Sequence, residues 1–370
     1  MVRNDYRYTV CLFLPDGTPL GESDVDVDWE PAAEWARFLG IRQGKLSPLA
    51  VATRAAIEPK WHPTTGQPSV HGLQVTVSQD DGRLVCCEVP TSYFAPLARA
   101  ASADLVQKGM LRDGDLFRYL VGAYPNGQGK PENASTASFG IEEVSPSLPL
   151  KQSCLTEFAR RSVRFGQADN NGDIPVFLPQ EVLGETAVLS RKAGALETGG
   201  ILIGHVHQDV ALPEIFVEVT AQVPARHSRS ELMRLTFTPD TWSAVSASIK
   251  LRKKGEMMLG WWHSHSYLKQ ENTDPTDDDN DVTRTPLNAD TNGDSAFLSA
   301  EDLSLHRTCF PRGYSMALVV AEGRCTGLTW ALFGWNAGMI CPRNFQILPG
   351  EGWQANRPVF APIGEDAHAK

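Results

Sequence analysis

The feature that most constrains this chain is the stretch 257–306, in which an apolar run leads into two histidines separated by one residue. The run Met257–Trp262 has no charged side chain and ends in two tryptophans, which is typical of a strand buried on both faces. Side chains at positions i and i+2 of a strand point to the same face. His263 and His265, at the end of this strand, can therefore direct two imidazoles at one point.

A carboxylate later in the same stretch can complete a metal site. Catalytic zinc is usually held by three protein ligands, and its fourth position takes water or substrate. Asp302, at the end of Ser299-Ala-Glu-Asp302, can supply the third ligand. The residues alone leave an alternative open, because an isolated H-x-H pair is common and S-x-x-D is also a helix-capping box. The two interpretations are compatible, since a helix N-terminus holds a carboxylate rigidly.

Three segments taken together resemble the JAMM (JAB/MPN+) family of zinc metalloproteases. They are Glu197–Gly204, Leu259–His265 and Phe297–Leu303. That family has a glutamate on an early strand, then H-x-H, then S-x-x-D, and all five functional positions are present here in order. The resemblance covers roughly residues 174–341. It implies a cytidine-deaminase-like mixed sheet flanked by helices.

The resemblance also implies a role for each matched residue. His263, His265 and Asp302 would bind zinc. Glu197 would act as general base and then general acid toward the zinc-bound water and the leaving amine, and Ser299 would donate a hydrogen bond to the oxyanion. The implied enzyme is an isopeptidase or peptidase that cleaves after the C-terminus of ubiquitin or a ubiquitin-like protein, and its partners would be that protein and its conjugates.

The context that the resemblance suggests is bacterial. Compact JAMM enzymes fused to unfamiliar domains are similar to deubiquitinase-like isopeptidases of ubiquitin-like conjugation operons, some of them tied to antiviral defence, so other operon proteins are further candidate partners. Two other functions stay open at this stage. One is a non-catalytic MPN-type scaffold, although such relatives have usually lost a ligand. The other is a zinc hydrolase of a small molecule or short peptide.

The chain departs from the family between H-x-H and S-x-x-D. Ser266 stands where the family has proline, and 33 residues separate His265 from Ser299. This insertion, 266–298, carries eight acidic and two basic side chains, a net charge of −6. It is either a lid over the site or a solvated excursion, which its composition favours.

A possible second metal site lies within the insertion. Asp290, Asn292 and Asp294, followed by Phe297 and Glu301, match positions 1, 3, 5, 8 and 12 of an EF-hand-like calcium loop. The glycine required at position 6 is missing, so a turn rich in Asn, Asp and Gly is the other interpretation.

A second H-x-H sequence, His205-Val206-His207, is the rival metal pair. It has no S-x-x-D partner and lies too near Glu197 in sequence to match the family. We predict that it lies in a loop before a turn at Gln208-Asp209.

Length and patterning predict an α+β / α/β protein of more than one domain. The 370 residues suffice for two or three domains. We predict that residues 1–124 form a separate α+β domain of unknown role, with a hairpin around Asp80-Asp81-Gly82. A linker or strap over 125–173 leads to the JAMM-like domain at 174–341. The remainder, 342–370, is predicted to be an extended tail.

Composition sets expectations about the environment of the chain. The net charge of −10, without a basic tract, disfavours nonspecific nucleic-acid binding. There is no N-terminal apolar leader, and no run of eighteen apolar residues suggests a membrane span. Seven scattered cysteines without a C-x-x-C pair are typical of a reduced, cytoplasmic protein.

Overall fold

The structure is a computed structural model, which describes residues 2–49, 53–126, 147–166, 173–194, 196–225, 229–231, 234–265, 296–323 and 327–350. The chain divides into two units. The first comprises Met1–Leu148 with the turn Ala337–Met339, and the second comprises Pro149–Asn336 and Ile340–Lys370. Sheets predominate and helices are few, which confirms the mixed α and β class predicted from the sequence.

The first unit is built on a sheet with two helices. Its described elements, in chain order, are β1 (Val2–Asn4), β2 (Tyr6–Phe13), β3 (Pro19–Val25), α1 (Glu30–Arg42), β4 (Thr53–His62), β5 (Gly66–Gln79), β6 (Leu84–Pro90), a short 3-10 helix (Thr91–Phe94), α2 (Ala95–Gln107) and β7 (Arg118–Pro125). In this part of the described chain the strand order is β1-β4-β5-β7-β2-β3, with β6 paired to β5. Buried aromatic rings of Tyr8, Trp29 and Phe94 pack edge-on or tilted within it.

The second unit contains the candidate site. Its described elements are β8 (Leu150–Ser153), α3 (Leu155–Arg160), β9 (Val163–Phe165), β10 (Val176–Pro179), α4 (Gln180–Ala193), β11 (Gly199–Asp209), β12 (Ile215–Pro224), β13 (Arg229–Glu231), β14 (Arg234–Thr236), α5 (Pro239–Arg252), β15 (Met257–His265), α6 (Ala300–Cys309), β16 (Met316–Gly323), β17 (Gly327–Asn336), β18 (Met339–Arg343) and β19 (Phe345–Leu348). Among described strands the main sheet runs β18-β17-β16-β15-β11-β12-β10-β19-β9, with β8 paired to β11.

Helices cover both faces of this sheet around β15. On one face, Val245 of α5 and Phe310 beyond α6 pack in a buried cluster with Trp261 and Val319 of the sheet. On the other face, Thr186 of α4 accepts a hydrogen bond from Trp330 Nε1 at 3.2 Å. Because both faces are covered, β15 is buried from Leu259 to Ser264, as its apolar sequence predicted.

Close packing of the strands next to β15 requires glycine at two positions. A Cβ at Gly260 would collide with the backbone carbonyl oxygen of Met316 on β16, and one at Gly204 would collide with that of Glu218 on β12. The pairing register of β11 shifts beside Gly204, at a bulge. The strand that carries the histidines therefore lies so close to β16 that no side chain would fit at Gly260.

Regular structure is present in the two segments that the sequence predicted to be a linker or strap and an extended tail. The second part of the predicted linker 125–173 contains β8, α3 and β9, and the predicted tail 342–370 contains β19. β8 pairs with β11, and β9 pairs with β19, so these segments belong to the large sheet. Strands of three or four residues are too short to show a hydrophobic period, which explains the difference. Residues 127–146, 167–172 and 351–370 lie outside the described residues.

Within the described ranges, none of the helices is long and apolar enough to cross a membrane.

We predict that Gly260→Ala destabilises the second unit by about 2 kcal/mol or more, because the added methyl group meets backbone rather than a movable side chain. Gly184→Ala is the matched control. Gly184 lies inside α4, and a methyl group added there would have no neighbouring atom within 4 Å, so this change should stabilise by up to about 1 kcal/mol. Urea unfolding of both variants measures the difference, and equal midpoints would contradict the prediction.

Candidate metal centre

The two histidines of the H-x-H sequence lie at the end of β15, side by side. In the register of the sheet His263 pairs with Gly199 of β11 and with Val319 of β16, and His265 pairs with Ala321. The two imidazoles face each other through their Nε2 atoms, which are 2.8 Å apart. His263 is fully buried, whereas the side chain of His265 keeps 18% of its exposure. The pair thus lies at the border between core and solvent.

The third group comes from the first turn of α6. Ser299 is the N-cap of that helix, and its Oγ accepts a hydrogen bond from Asp302 N at 3.2 Å. Asp302 Oδ2 accepts in return from Ser299 N at 2.9 Å and from Ser299 Oγ at 2.8 Å. The predicted capping box is therefore present. The same Oδ2 atom lies 3.3 Å from His263 Nε2 and 3.8 Å from His265 Nε2.

The spacing of these three atoms fits a small tetrahedral cation. Ligand bonds of about 2.0–2.1 Å at tetrahedral angles place the ligand atoms of zinc about 3.3 Å apart. The measured separations of 2.8, 3.3 and 3.8 Å lie on both sides of that value. In the described part of the chain, His263, His265 and Asp302 form the one group of three or more metal-ligating side chains whose ligand atoms all lie within 4.8 Å. Two imidazoles and a carboxylate suit zinc, although the geometry alone does not distinguish it from related divalent metals.

Burial and neighbouring charges shift the pKa values of two of the three ligands. Burial by itself raises the pKa of Asp302, but the charges and hydrogen bonds of His263 and His265 outweigh it and hold that pKa well below its usual range. Burial lowers the pKa of His265, partly offset by the hydrogen bond to Asp302 and the charge of Glu197. At neutral pH the aspartate is therefore ionised, as a metal ligand must be.

The pairing between β11 and β15 fixes the backbone next to Glu197 to the strand that carries the two histidines. The residue before β11, Thr198, is clamped to Ser264: Ser264 N donates to Thr198 O at 2.8 Å, and Thr198 N donates to Ser264 Oγ at 3.2 Å. Glu197 then follows opposite His265 in the antiparallel register, 8% exposed. Side chains at opposite positions share a face of the sheet, and the charge of Glu197 acts on His265, so Glu197 is on the same face as that histidine.

The prediction that His205 and His207 lie in a loop is wrong. Both lie within β11, both are buried, and the turn begins only after Asp209. His205 Nε2 is 2.9 Å from Lys151 Nζ, and His207 Nε2 is 2.9 Å from Glu218 Oε2. Burial and then the Lys151 charge lower the pKa of His205. An ammonium group at this ring disfavours a metal cation, so the rival pair is not assembled as a metal site.

Two residues that the sequence interpretation did not assign lie next to the centre. The indole of Trp261 stacks on His263, with ring centroids 4.6 Å apart and an angle of 13° between the planes. Its Nε1 donates to His306 Nδ1 at 3.1 Å. Their spacing could have predicted this position. Trp261 is two residues before His263 on a strand, and His306 is four residues after Asp302 on a helix, so each shares a face with a ligand. The residues of the predicted calcium loop and of the predicted lid lie largely outside the described residues, which resume at 296.

We predict that His306 makes the stability of the metal-free protein depend on pH. Burial, with the nearby Arg343 charge, lowers its pKa to about 3, so the unfolded chain binds a proton that the folded chain does not. This contribution to stability is complete above pH ~6.5 and is lost progressively as the pH falls toward 3. Between pH 7.5 and 4.5 this histidine should lower the free energy of unfolding by roughly 2–3 kcal/mol.

The comparison is with His306→Asn, whose amide oxygen keeps an acceptor for Trp261 without titrating near these pH values. Urea unfolding of both proteins at pH 7.5 and 4.5, with a chelator present, measures the effect. The same acid-induced loss in both would contradict the assignment.

Comparisons with known proteins leave the family undetermined. No family model matches the sequence, and no curated protein matches it. Among solved structures, this chain is similar to the solution structure of protein DSY2949 from Desulfitobacterium hafniense, at 19% identity. That match covers 47% of this chain and 94% of the other, with a TM-score of 0.30. A similarity this low supports no conclusion about fold or function.

Proposed function

We propose that the protein is a zinc-dependent isopeptidase of the JAMM type. The observation that carries the proposal is the convergence of His263, His265 and Asp302 from two elements, with ligand-atom separations of 2.8 to 3.8 Å and the charge of Glu197 acting on His265. The fold proposed for the second unit is correspondingly the JAMM-type mixed sheet flanked by helices. The order of the five residues, which is similar to that in the family, supports the proposal, although the segment between His265 and Ser299 is longer here.

Each residue of the site would have a separate task. Zinc bound by the three ligands would polarise the scissile carbonyl and lower the pKa of a bound water to about 7. Glu197 would accept a proton from the nucleophile and return it to the leaving amine. The Ser299 hydroxyl, which donates to Asp302 Oδ2 in the structure, would turn toward the oxyanion that develops in the transition state.

The proposed substrate is the C-terminal tail of ubiquitin or a ubiquitin-like protein, joined to a lysine or a following residue. Access to the ligands is narrow, since the side chains of His265 and Asp302 retain 18% and 14% of their exposure and His263 has none. A thin, glycine-rich chain in extended form can approach such an opening more closely than a bulky segment can. We propose a cytoplasmic location, which is supported by the absence of disulfides among the described cysteines.

We expect the purified protein to hold one zinc per chain, and His263→Ala to lose it. His205→Ala is the matched control, because this histidine is also buried on the same sheet but faces Lys151 instead of the centre. Metal content by mass spectrometry of the proteins, together with far-ultraviolet circular dichroism, makes the comparison. Absence of zinc from the wild type, or its loss only in the His205 variant, would rule out the centre.

We expect Glu197→Gln to retain zinc and to lose activity by roughly 10²- to 10⁴-fold, because the amide cannot accept the proton. Glu185→Gln, a substitution of the same kind on α4, should leave activity unchanged. The assay is cleavage of ubiquitin-like fusions carrying a C-terminal extension or a lysine-linked reporter. Undiminished cleavage by the Glu197 variant would contradict its role, and a zinc-loaded wild type that cleaves none of these substrates would favour the scaffold function.

A further inference from the structure

A buried histidine outside the proposed chemistry lies directly behind the metal centre. His306 is on α6, four residues after Asp302 and therefore on the same side of the helix. Its side chain is fully buried. Its Nδ1 accepts a hydrogen bond of 3.1 Å from Trp261 Nε1. The helix that carries the third ligand is thereby bonded to the strand that carries the first two.

The hydrogen bond is connected to a ligand ring by stacking. Trp261 and His263 lie two residues apart on β15, so both point to the face covered by α6. Their rings are nearly parallel, 13° apart, at a centroid distance of 4.6 Å. Any rotation of the indole that broke its bond to His306 would also disturb the surface on which the His263 imidazole rests.

Aromatic rings hold His306 from its other side. The ring of Trp335 on β17 lies 5.4 Å away, and that of Phe310 lies 6.0 Å away. Trp335 Nε1 donates to Phe310 O at 2.8 Å, which joins β17 to the end of α6. The imidazole is thus fixed between two tryptophans that belong to different strands.

We propose that His306 is a positioning residue of the metal centre, which holds Trp261 under His263 and keeps α6 at the distance that brings Asp302 to the two imidazoles. This inference rests on the proposed function only in requiring that the centre binds a metal. The need for such a link is specific to this chain, because 33 residues separate His265 from Ser299 and the backbone itself imposes little on their separation.

The hydrogen-bond chemistry of the pair defines the test. His306 must be a neutral imidazole with its lone pair at Nδ1, because Trp261 Nε1 can only donate. Asparagine can offer an amide oxygen near the same place, whereas leucine has similar bulk and no acceptor. Trp261→Phe keeps an aromatic ring beneath His263 but removes the donor.

The experiment measures zinc release to a chromophoric chelator and the visible absorption of the cobalt-substituted protein. In His306→Leu and Trp261→Phe we expect zinc to dissociate about 10- to 100-fold faster, with altered cobalt bands, as for other residues that orient metal ligands. His306→Asn should stay within about threefold of the wild-type rate, since the acceptor is retained. His205→Leu removes a buried histidine from β11, away from the centre, and controls for a general loss of stability.

The outcomes separate this inference from the proposed function. Wild-type rates and cobalt bands in both His306→Leu and Trp261→Phe would overturn it, as would an equal acceleration in His205→Leu. If His306→Leu does not fold, Trp261→Phe and His306→Asn decide between the same alternatives. A wild type that binds zinc without cleaving any substrate would contradict the proposed function alone, whereas a wild type that binds no metal would overturn both.

Discussion

One carboxylate oxygen connects the fold of the second unit to its chemistry. Asp302 Oδ2 accepts from the backbone and the hydroxyl of Ser299, which closes the first turn of α6. The same atom faces the Nε2 atoms of His263 and His265. A capping box stabilises a helix by about 1 kcal/mol, so the position of the third ligand is fixed by a modest interaction that is independent of any metal. The S-x-x-D sequence therefore forms the helix cap and presents the candidate metal ligand with the same atoms.

Sequence alone could predict the parts of the site that follow from local periodicity. The alternation of a strand puts His263 and His265 on one face, and the capping pattern places Ser299 and Asp302 in one helical turn, as the structure has them. Glu197 is different, because its place depends on the register between two strands that are distant in sequence. Only the resemblance to a family suggested it, and the reaction and the substrate remain predictions on the same basis.

What the sequence could not predict depends on tertiary contacts. His205 and His207 looked like loop residues because they come directly before a predicted turn, and two buried histidines need polar partners. Lys151 and Glu218 supply those partners from neighbouring strands. The bond between Trp261 and His306 likewise joins positions 45 residues apart, and nothing local distinguishes that histidine from a surface one. Short strands such as β8 and β9 were missed because each is defined by its neighbour in the sheet.

The separation of the ligands into two segments has a consequence for how such a protein can change. The closure free energy of a loop grows only with the logarithm of its length, so doubling the segment between His265 and Ser299 costs about 0.6 kcal/mol. Additions and deletions between these residues are thus nearly neutral in stability, provided that β15 and α6 keep their own contacts. Residues can therefore be gained or lost between the two segments while His263, His265 and Asp302 keep their places.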